Sequence, residues 1–151
     1  MFIAGYLKKY EMETIIIQDT DEQILEVLML ALELKNFKVF PLQECDGNFI
    51  EFIEKNRPHV MMLDFRIDGK KSIEILRMVK RKYPNLAVIA MSCNNNINKL
   101  AYASGFDGYI EKPFDLDLLY RILEKHIAKP GEQNRTDSCS SYINGLLLLS
   151  N

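Results

Sequence analysis

The sequence predicts a doubly wound α/β fold, a five-stranded parallel sheet with helices on both faces. Two observations carry this. Short β-branched and apolar runs alternate with longer amphipathic stretches from residue 14 to residue 128, the rhythm of βαβ units, and no internal repeat interrupts it. Two of the runs, 60–63 and 86–91, are apolar at every position, as parallel strands covered on both faces are.

Each element has its own signal. The first strand, 14–18, is a β-branched run that ends at Asp19. Asp21 and Glu22 then bring negative charge to a helix N-terminus, ahead of Ile24, Leu25, Leu28, Ala31 and Leu32 at helical spacing. A short second strand, 37–40, is closed by Pro41, and a second helix over 48–55 stops before Pro58. The third strand, 60–63, places Met61 and Met62 in the core and ends at Asp64. A polar loop over 68–71, with Lys70 and Lys71 in solvent, leads to a third helix carrying Ile73, Leu76 and Val79 on one face. Pro84 and Asn85 break the chain before the fourth strand, 86–91, which ends at Ser92. Asn94, Asn95 and Asn96 cap a short fourth helix that stops near Gly105. Tyr109 and Ile110 belong to a fifth strand ending at Lys112-Pro113, and Asp115 caps a fifth helix that turns Leu116, Leu119, Ile122, Leu123 and Ile127 inward.

Composition narrows the function classes. At 151 residues, 48% hydrophobic and 26% charged, the chain has the size of one domain with a sizeable core. Nineteen Lys and Arg against twenty-one Asp and Glu give a net charge of -2, with no basic face for nucleic-acid phosphates. The apolar runs fall far short of the roughly 20 residues of a membrane helix, and apolar residues precede Lys8 and Lys9, the reverse of an export signal. Cys45, Cys93 and Cys139 form no CxxC pair, which argues against a zinc site and fits a reducing compartment. His59 and His126 stand apart and read as surface or capping residues, not metal ligands. A cytoplasmic protein with neither nucleic-acid nor membrane partners is expected.

In a doubly wound sheet, chemistry belongs in the crevice beyond the carboxyl ends of the strands, where strand order reverses. Asp19, Asp64, Ser92 and Lys112 occupy those ends. Two carboxylates, a hydroxyl and an ammonium at one rim suit a phosphoryl site. Carboxylates hold Mg²⁺, one of them is the nucleophile, and the hydroxyl and lysine neutralise incoming phosphoryl oxygens. Any one of the four alone reads more simply as a polar strand end entering a solvated loop; four out of four favours the site.

With these residues in place, the sequence resembles the receiver domain of two-component response regulators. The resemblance is carried by Ile15-Ile16-Ile17-Gln18-Asp19, Val60-Met61-Met62-Leu63-Asp64, Val88-Ile89-Ala90-Met91-Ser92-Cys93 and Gly108-Tyr109-Ile110-Glu111-Lys112-Pro113-Phe114, and spans 14–128. It implies a flavodoxin-like sheet in strand order 2-1-3-4-5, with Asp64 the phosphoacceptor, Asp19 an acidic-pocket residue, Ser92 the switch hydroxyl and Lys112 the phosphate-pairing lysine. It also implies a cis peptide at Lys112-Pro113, Mg²⁺ held by Asp19, Asp64 and the Arg66 backbone carbonyl, and an aromatic switch at Tyr109. Read on its own, Tyr109 is equally an ordinary half-buried strand tyrosine.

The sequence departs from the family in four places. Thr20 stands where the family has a second adjacent acid, so the metal pocket loses a negative charge and Mg²⁺ is expected to bind weakly, with the Thr20 hydroxyl as a neutral ligand. Asp21 does not substitute, because its side chain points elsewhere as the chain enters the first helix. Asp68 replaces the usual proline and Lys71-Ser72 the usual Asp-Gly, and 92–105 is shorter than usual. Cys93 reads as a small buried thiol in preference to a redox group.

The leading expectation is a single-domain receiver. It takes a phosphoryl group on Asp64 from a phosphohistidine on a sensor histidine kinase or phosphotransfer protein. It then changes its helix-four, strand-five, helix-five surface to contact a downstream protein target. It is no enzyme beyond its own phosphoryl transfer and aspartyl-phosphate hydrolysis. The alternative, motivated by Thr20 and the altered loop, is a phosphorylation-independent interaction module. A small-ligand flavodoxin-like domain is disfavoured, because no Ser/Thr-rich or Gly-rich loop follows the first strand. Residues 1–13 read as an N-terminal extension whose Phe2, Ile3, Tyr6, Leu7 and Tyr10 offer an apolar face for a homodimer or for packing on the domain, and 129–151 as a disordered tail, with a docking motif the alternative. Neither end has the length of an output domain, so the output is expected from the receiver surface or these ends.

Overall fold

Successive residues of a strand point to opposite faces, so strands covered on both sides divide their apolar residues between two cores. A computed structural model describes residues 11–66 and 69–127. The elements in chain order are β1 (Thr14–Gln18), α1 (Glu22–Glu33), β2 (Lys38–Leu42), α2 (Phe49–Asn56), β3 (Val60–Asp64), α3 (Lys70–Lys82), β4 (Ala87–Ser92), a 3₁₀ turn (Asn95–Ile97), α4 (Asn98–Ser104), β5 (Gly108–Glu111) and α5 (Leu116–Ile127). The strands pair in parallel in the order β2-β1-β3-β4-β5. The flavodoxin-like doubly wound sheet is therefore present.

One core packs Ile15, Ile17, Val60, Met62, Ile89 and Met91 under Leu25, Leu28 and Leu32 of α1 and Leu119 and Leu123 of α5. The other packs Ile16, Met61, Leu63, Val88 and Ala90 under α2, α3 and α4. Met61 and Met62 lie in opposite cores, both fully buried.

Local signals set the ends of the elements. Asp21 caps α1, its Oδ1 accepting from the backbone N–H of Gln23 at 2.9 Å and of Ile24 at 3.4 Å. Asp21→Ala is expected to destabilise the domain by about 1 kcal/mol in urea unfolding at neutral pH, because two helix N–H groups lose their acceptor. Asn94 Oδ1 accepts from Asn96 N–H at 3.0 Å, Gly105 ends α4 at φ 104°, and Asp115 Oδ1 accepts from Leu118 N–H at 3.0 Å. The Lys112-Pro113 peptide is cis.

Several expectations need correction, and one of them is Leu116, which is 42% exposed at the start of α5 instead of turned inward. The second strand runs through Pro41 to Leu42 instead of closing before it. It is an edge strand, and an edge tolerates a residue without an N–H. Lys70 and Lys71 open α3 instead of lying in the loop, because Gly69 takes a left-handed φ of 66° and starts the helix early. Lys71 pairs with Glu44 at 2.7 Å. Cys93 is exposed, not buried: it follows the inward-facing Ser92, and alternation turns it outward as β4 ends. His59 is a capping residue, its Nδ1 accepting from Thr14 N–H at 3.0 Å, whereas His126 is half-buried. Burial lowers the pKa of His126. Asp68, Cys139, the 129–151 tail and residues 1–10 of the N-terminal extension lie outside the described residues.

Candidate functional site

Parallel pairing carries the sequence-predicted polar residues to one rim. Asp19 follows β1, Asp64 ends β3, Ser92 ends β4 and Lys112 follows β5. The register places Asp64 opposite Met91, next to Ser92, and Ser92 opposite Glu111, next to Lys112. All four are buried, Asp19 to 1% exposure and Lys112 to 8%.

Lys112 is the hub of the cluster. Its Nζ donates to Asp19 Oδ2 and, at 2.9 Å, to Asp64 Oδ1. Burial alone pulls the Lys112 pKa down, and the hydrogen bonds to Asp19 and Asp64 outweigh it, so the ammonium is held above its ordinary value. The remaining carboxylate oxygens are also engaged: Asp19 Oδ1 accepts from Asp21 N–H at 2.9 Å, and Asp64 Oδ2 accepts from Arg66 Nε at 2.8 Å. Ser72 Oγ donates to the Asp64 carbonyl at 2.6 Å and anchors the backbone of that residue.

The switch candidates are tied to one another through Asn94. Ser92 Oγ accepts from Asn94 N–H at 3.2 Å, and Tyr109 Oη donates to Asn94 O at 2.8 Å. Burial, and then the Glu111 charge, raise the Tyr109 pKa, so the phenol stays a neutral donor in the physiological range. Thr20 Oγ1 is buried without a hydrogen-bond partner among the described residues, beside a cavity of about 200 Å³ that it lines with Gln18, Cys45, Asp64, Arg66 and Ser72.

Three contributors escape the sequence reading: the Arg66 side chain, Ser72 and Asn94. For Arg66 a signal existed, since residues i and i+2 of an extended chain share a face and Asp64 is its i–2 neighbour. Ser72, in the first turn of α3, and Asn94, in the segment after β4, act through tertiary contacts that spacing does not encode.

The model of the response regulator receiver domain matches residues 15–124. The chain belongs to this family. Among curated relatives, the receiver is 24% identical over 127 residues to the DNA-binding transcriptional regulator NtrC of Proteus hauseri, covering 83% of this chain and 27% of that protein. It is 30% identical over 94 residues to NtrC of Escherichia coli K12, covering 61% of this chain and 20% of that one. The chain thus spans about a quarter or less of the length of these relatives. Among solved structures, a receiver domain from Clostridium thermocellum matches with TM-score 0.68 and 24% identity, covering 77% of this chain and 94% of that one. A response regulator from Thermotoga maritima matches with TM-score 0.69 and 21% identity, covering 79% of this chain and all 100% of that one. These structures show the same fold. Receiver domains are signalling modules, in general not enzymes, that interact with histidine kinases or phosphotransfer proteins. Among the described residues no helix is long and apolar enough to cross a membrane.

Receivers commonly bind Mg²⁺ in an acidic pocket. The donor types for a divalent ion are here in part: Asp19, Asp64, the Arg66 carbonyl and the unpartnered Thr20 hydroxyl. The charge is not. Among the described residues, Asp19, Asp64 and Glu44 are matched by Lys112, Arg66 and Lys71, all in ion pairs, which leaves these six side chains without a net formal charge. The Arg66 carbonyl already accepts from Gly69 N–H at 2.5 Å. Among the described residues no group of three His, Cys, Asp or Glu side chains is placed to hold a metal. As arranged, the pocket does not fit a resident divalent cation.

Proposed function

We propose that this receiver accepts a phosphoryl group on Asp64 from a phosphohistidine of a sensor histidine kinase or phosphotransfer protein, and signals through protein–protein contacts. The observation that carries the reading is the buried Lys112 ammonium joining Asp19 to Asp64 at the sheet's carboxyl rim. An Asp64 oxygen attacks phosphorus, the donor's P–N bond breaks, and the imidazole leaves with the electron pair. Lys112, already in contact with Asp64, neutralises charge on the phosphoryl oxygens without reorganising. Hydrolysis of the acyl phosphate resets the domain, and beyond this self-directed chemistry the protein is no enzyme.

The switch follows from the Asn94 peptide. When Ser92 turns its hydroxyl to the phosphoryl group, Asn94 N–H loses its acceptor and the Tyr109–Asn94 bond shifts with it. That bond ties the segment between β4 and α4 to β5, and on α4 and α5 Leu100, Tyr102, Leu116 and Leu118 are 40–55% exposed. This α4-β5-α5 surface is the proposed contact for a downstream protein target. Mg²⁺ binds weakly and only as Arg66 gives way at Asp64, because the paired cluster is neutral and Thr20 supplies a hydroxyl and no charge. The domain is taken as 14–128 and the location as cytoplasmic, with a second copy of the chain as a further partner through the apolar residues ahead of β1.

Intact mass after incubation with acetyl phosphate and Mg²⁺ tests the reading. A single species about 80 Da heavier is expected for the native chain and none for Asp64→Asn; no adduct, or one that persists in the variant, overturns it. Thr20 favours a second reading, an interaction module that works without phosphorylation. It is supported if target binding is the same for the native chain and Asp64→Asn.

A further inference from the structure

We infer that Arg66 is the pocket's own counter-ion: its guanidinium supplies to Asp64 the positive charge that a bound divalent cation supplies, and so competes with Mg²⁺ for the pocket. The inference rests on the proposed role of Asp64 as the reacting carboxylate and adds how its metal demand is regulated.

Geometry brings the two groups together without strain. The chain leaves β3 extended, so Asp64 and Arg66 share a face while Phe65, 1% exposed, goes to the opposite one and anchors the segment in the core. Arg66 Nε then meets Asp64 Oδ2 at 2.8 Å. The buried end of this pair is Asp64, at 8% exposure, whereas the Arg66 side chain is 62% exposed. Arg66 can therefore withdraw into water without emptying a core position.

Charge makes the pair a competitor. With Arg66 in place, Asp19 and Asp64 are balanced by Lys112 and Arg66. A dication entering this neutral cluster must displace the guanidinium or sit beside it, and either costs Coulomb energy that a two-carboxylate, one-lysine cluster does not impose. Lys71 does not play this part, since it is held by Glu44 at 2.7 Å. Because Arg66 is solvent-exposed, its opposition is screened, so the competition weakens as salt rises.

The test is a Mg²⁺ titration of the native chain, Arg66→Ala and Arg66→Lys at low and high salt, followed by calorimetry and by tyrosine fluorescence, which the lack of Trp leaves unmasked. Arg66→Ala is expected to bind Mg²⁺ about tenfold more tightly at low salt, a difference set by removing one screened unit charge near a dication. At high salt the difference shrinks. Arg66→Lys, which keeps the charge, is expected to stay near the native affinity. Thermal melts check that each variant folds. Equal Mg²⁺ affinity of the native chain and Arg66→Ala at low salt overturns the inference. No phosphodonor enters this titration, so acetyl phosphate labelling of the same proteins separates the two ideas. Labelling of Asp64 with unchanged Mg²⁺ affinity refutes the competition alone, and tighter Mg²⁺ binding without labelling refutes the phosphoacceptor reading alone.

Discussion

Lys112→Met is expected to destabilise the domain by about 3 kcal/mol at neutral pH and to slow phosphoryl acceptance on Asp64 by about a hundredfold or more. Methionine keeps the length of the side chain and removes its charge and donors. Asp19 and Asp64, 1% and 8% exposed, then lose the ammonium they share. Among the described residues, Asp19 keeps only the Asp21 N–H as a donor. Asp64 keeps Arg66, whose exposed guanidinium is screened by solvent and compensates less. The pH dependence identifies the cause. The Lys112 pKa in the folded chain lies above its ordinary 10.5, because the hydrogen bonds to Asp19 and Asp64 outweigh burial. A raised folded value means that the ammonium's contribution is complete below pH 10.5 and is lost as pH rises through the folded value. The stability gap between native and variant chains should therefore be flat through the neutral range and narrow on the alkaline side. Urea unfolding across a pH series measures the gap, and the time course of acetyl phosphate labelling measures the rate. A variant as stable as the native chain at neutral pH, or a gap that ignores alkaline pH, removes Lys112 from the centre of the cluster.

The reason this cluster is legible in the sequence is that Asp64 and Ser92 each end an apolar run too uniform to be anything but a covered parallel strand. Once two strands are fixed, parallel pairing carries Asp19 and Lys112 to the same rim. The Asp115 cap and the Gly105 stop are equally legible, since each is a short-range effect of one residue on its own backbone. Pro41 misleads because whether a strand tolerates it depends on the strand being at the edge, a property of the assembled sheet. Gly69 misleads in the same way: its left-handed φ brings Lys70 and Lys71 into α3, and no local pattern announces it. The second engaged oxygen of Asp64 also goes unread, because the resemblance assigns Arg66 a backbone role and draws attention from its side chain.

Gly69→Ala is expected to cost about 3 kcal/mol, the sum of a left-handed alanine and an overpacked aromatic contact. Gly69 sits at φ 66°, its N–H donates to the Arg66 carbonyl at 2.5 Å, and its own carbonyl accepts from Ile73 N–H at 2.8 Å. These bonds fix it between the segment that follows Asp64 and the first turn of α3. A Cβ at this position would overlap the Phe65 ring, reaching Cε2 at 2.7 Å and coming closer still to Cε1 and Cζ. The ring has nowhere to retreat: it is 1% exposed and packs edge to face on Phe106, with centroids 5.6 Å apart at 71°. Relief must come from the backbone, which would move Arg66 away from Asp64. Denaturant midpoints of Gly69→Ala, Phe65→Leu and the double variant separate the two causes. If overlap dominates, the double variant is more stable than the sum of the single losses predicts; if the left-handed backbone dominates, the losses add. A neutral Gly69→Ala would mean that the segment after Asp64 adopts another path. A costly one relieved by Phe65→Leu would show that a glycine seated against an aromatic ring sets that path, in a chain that has Asp68 where the family has proline.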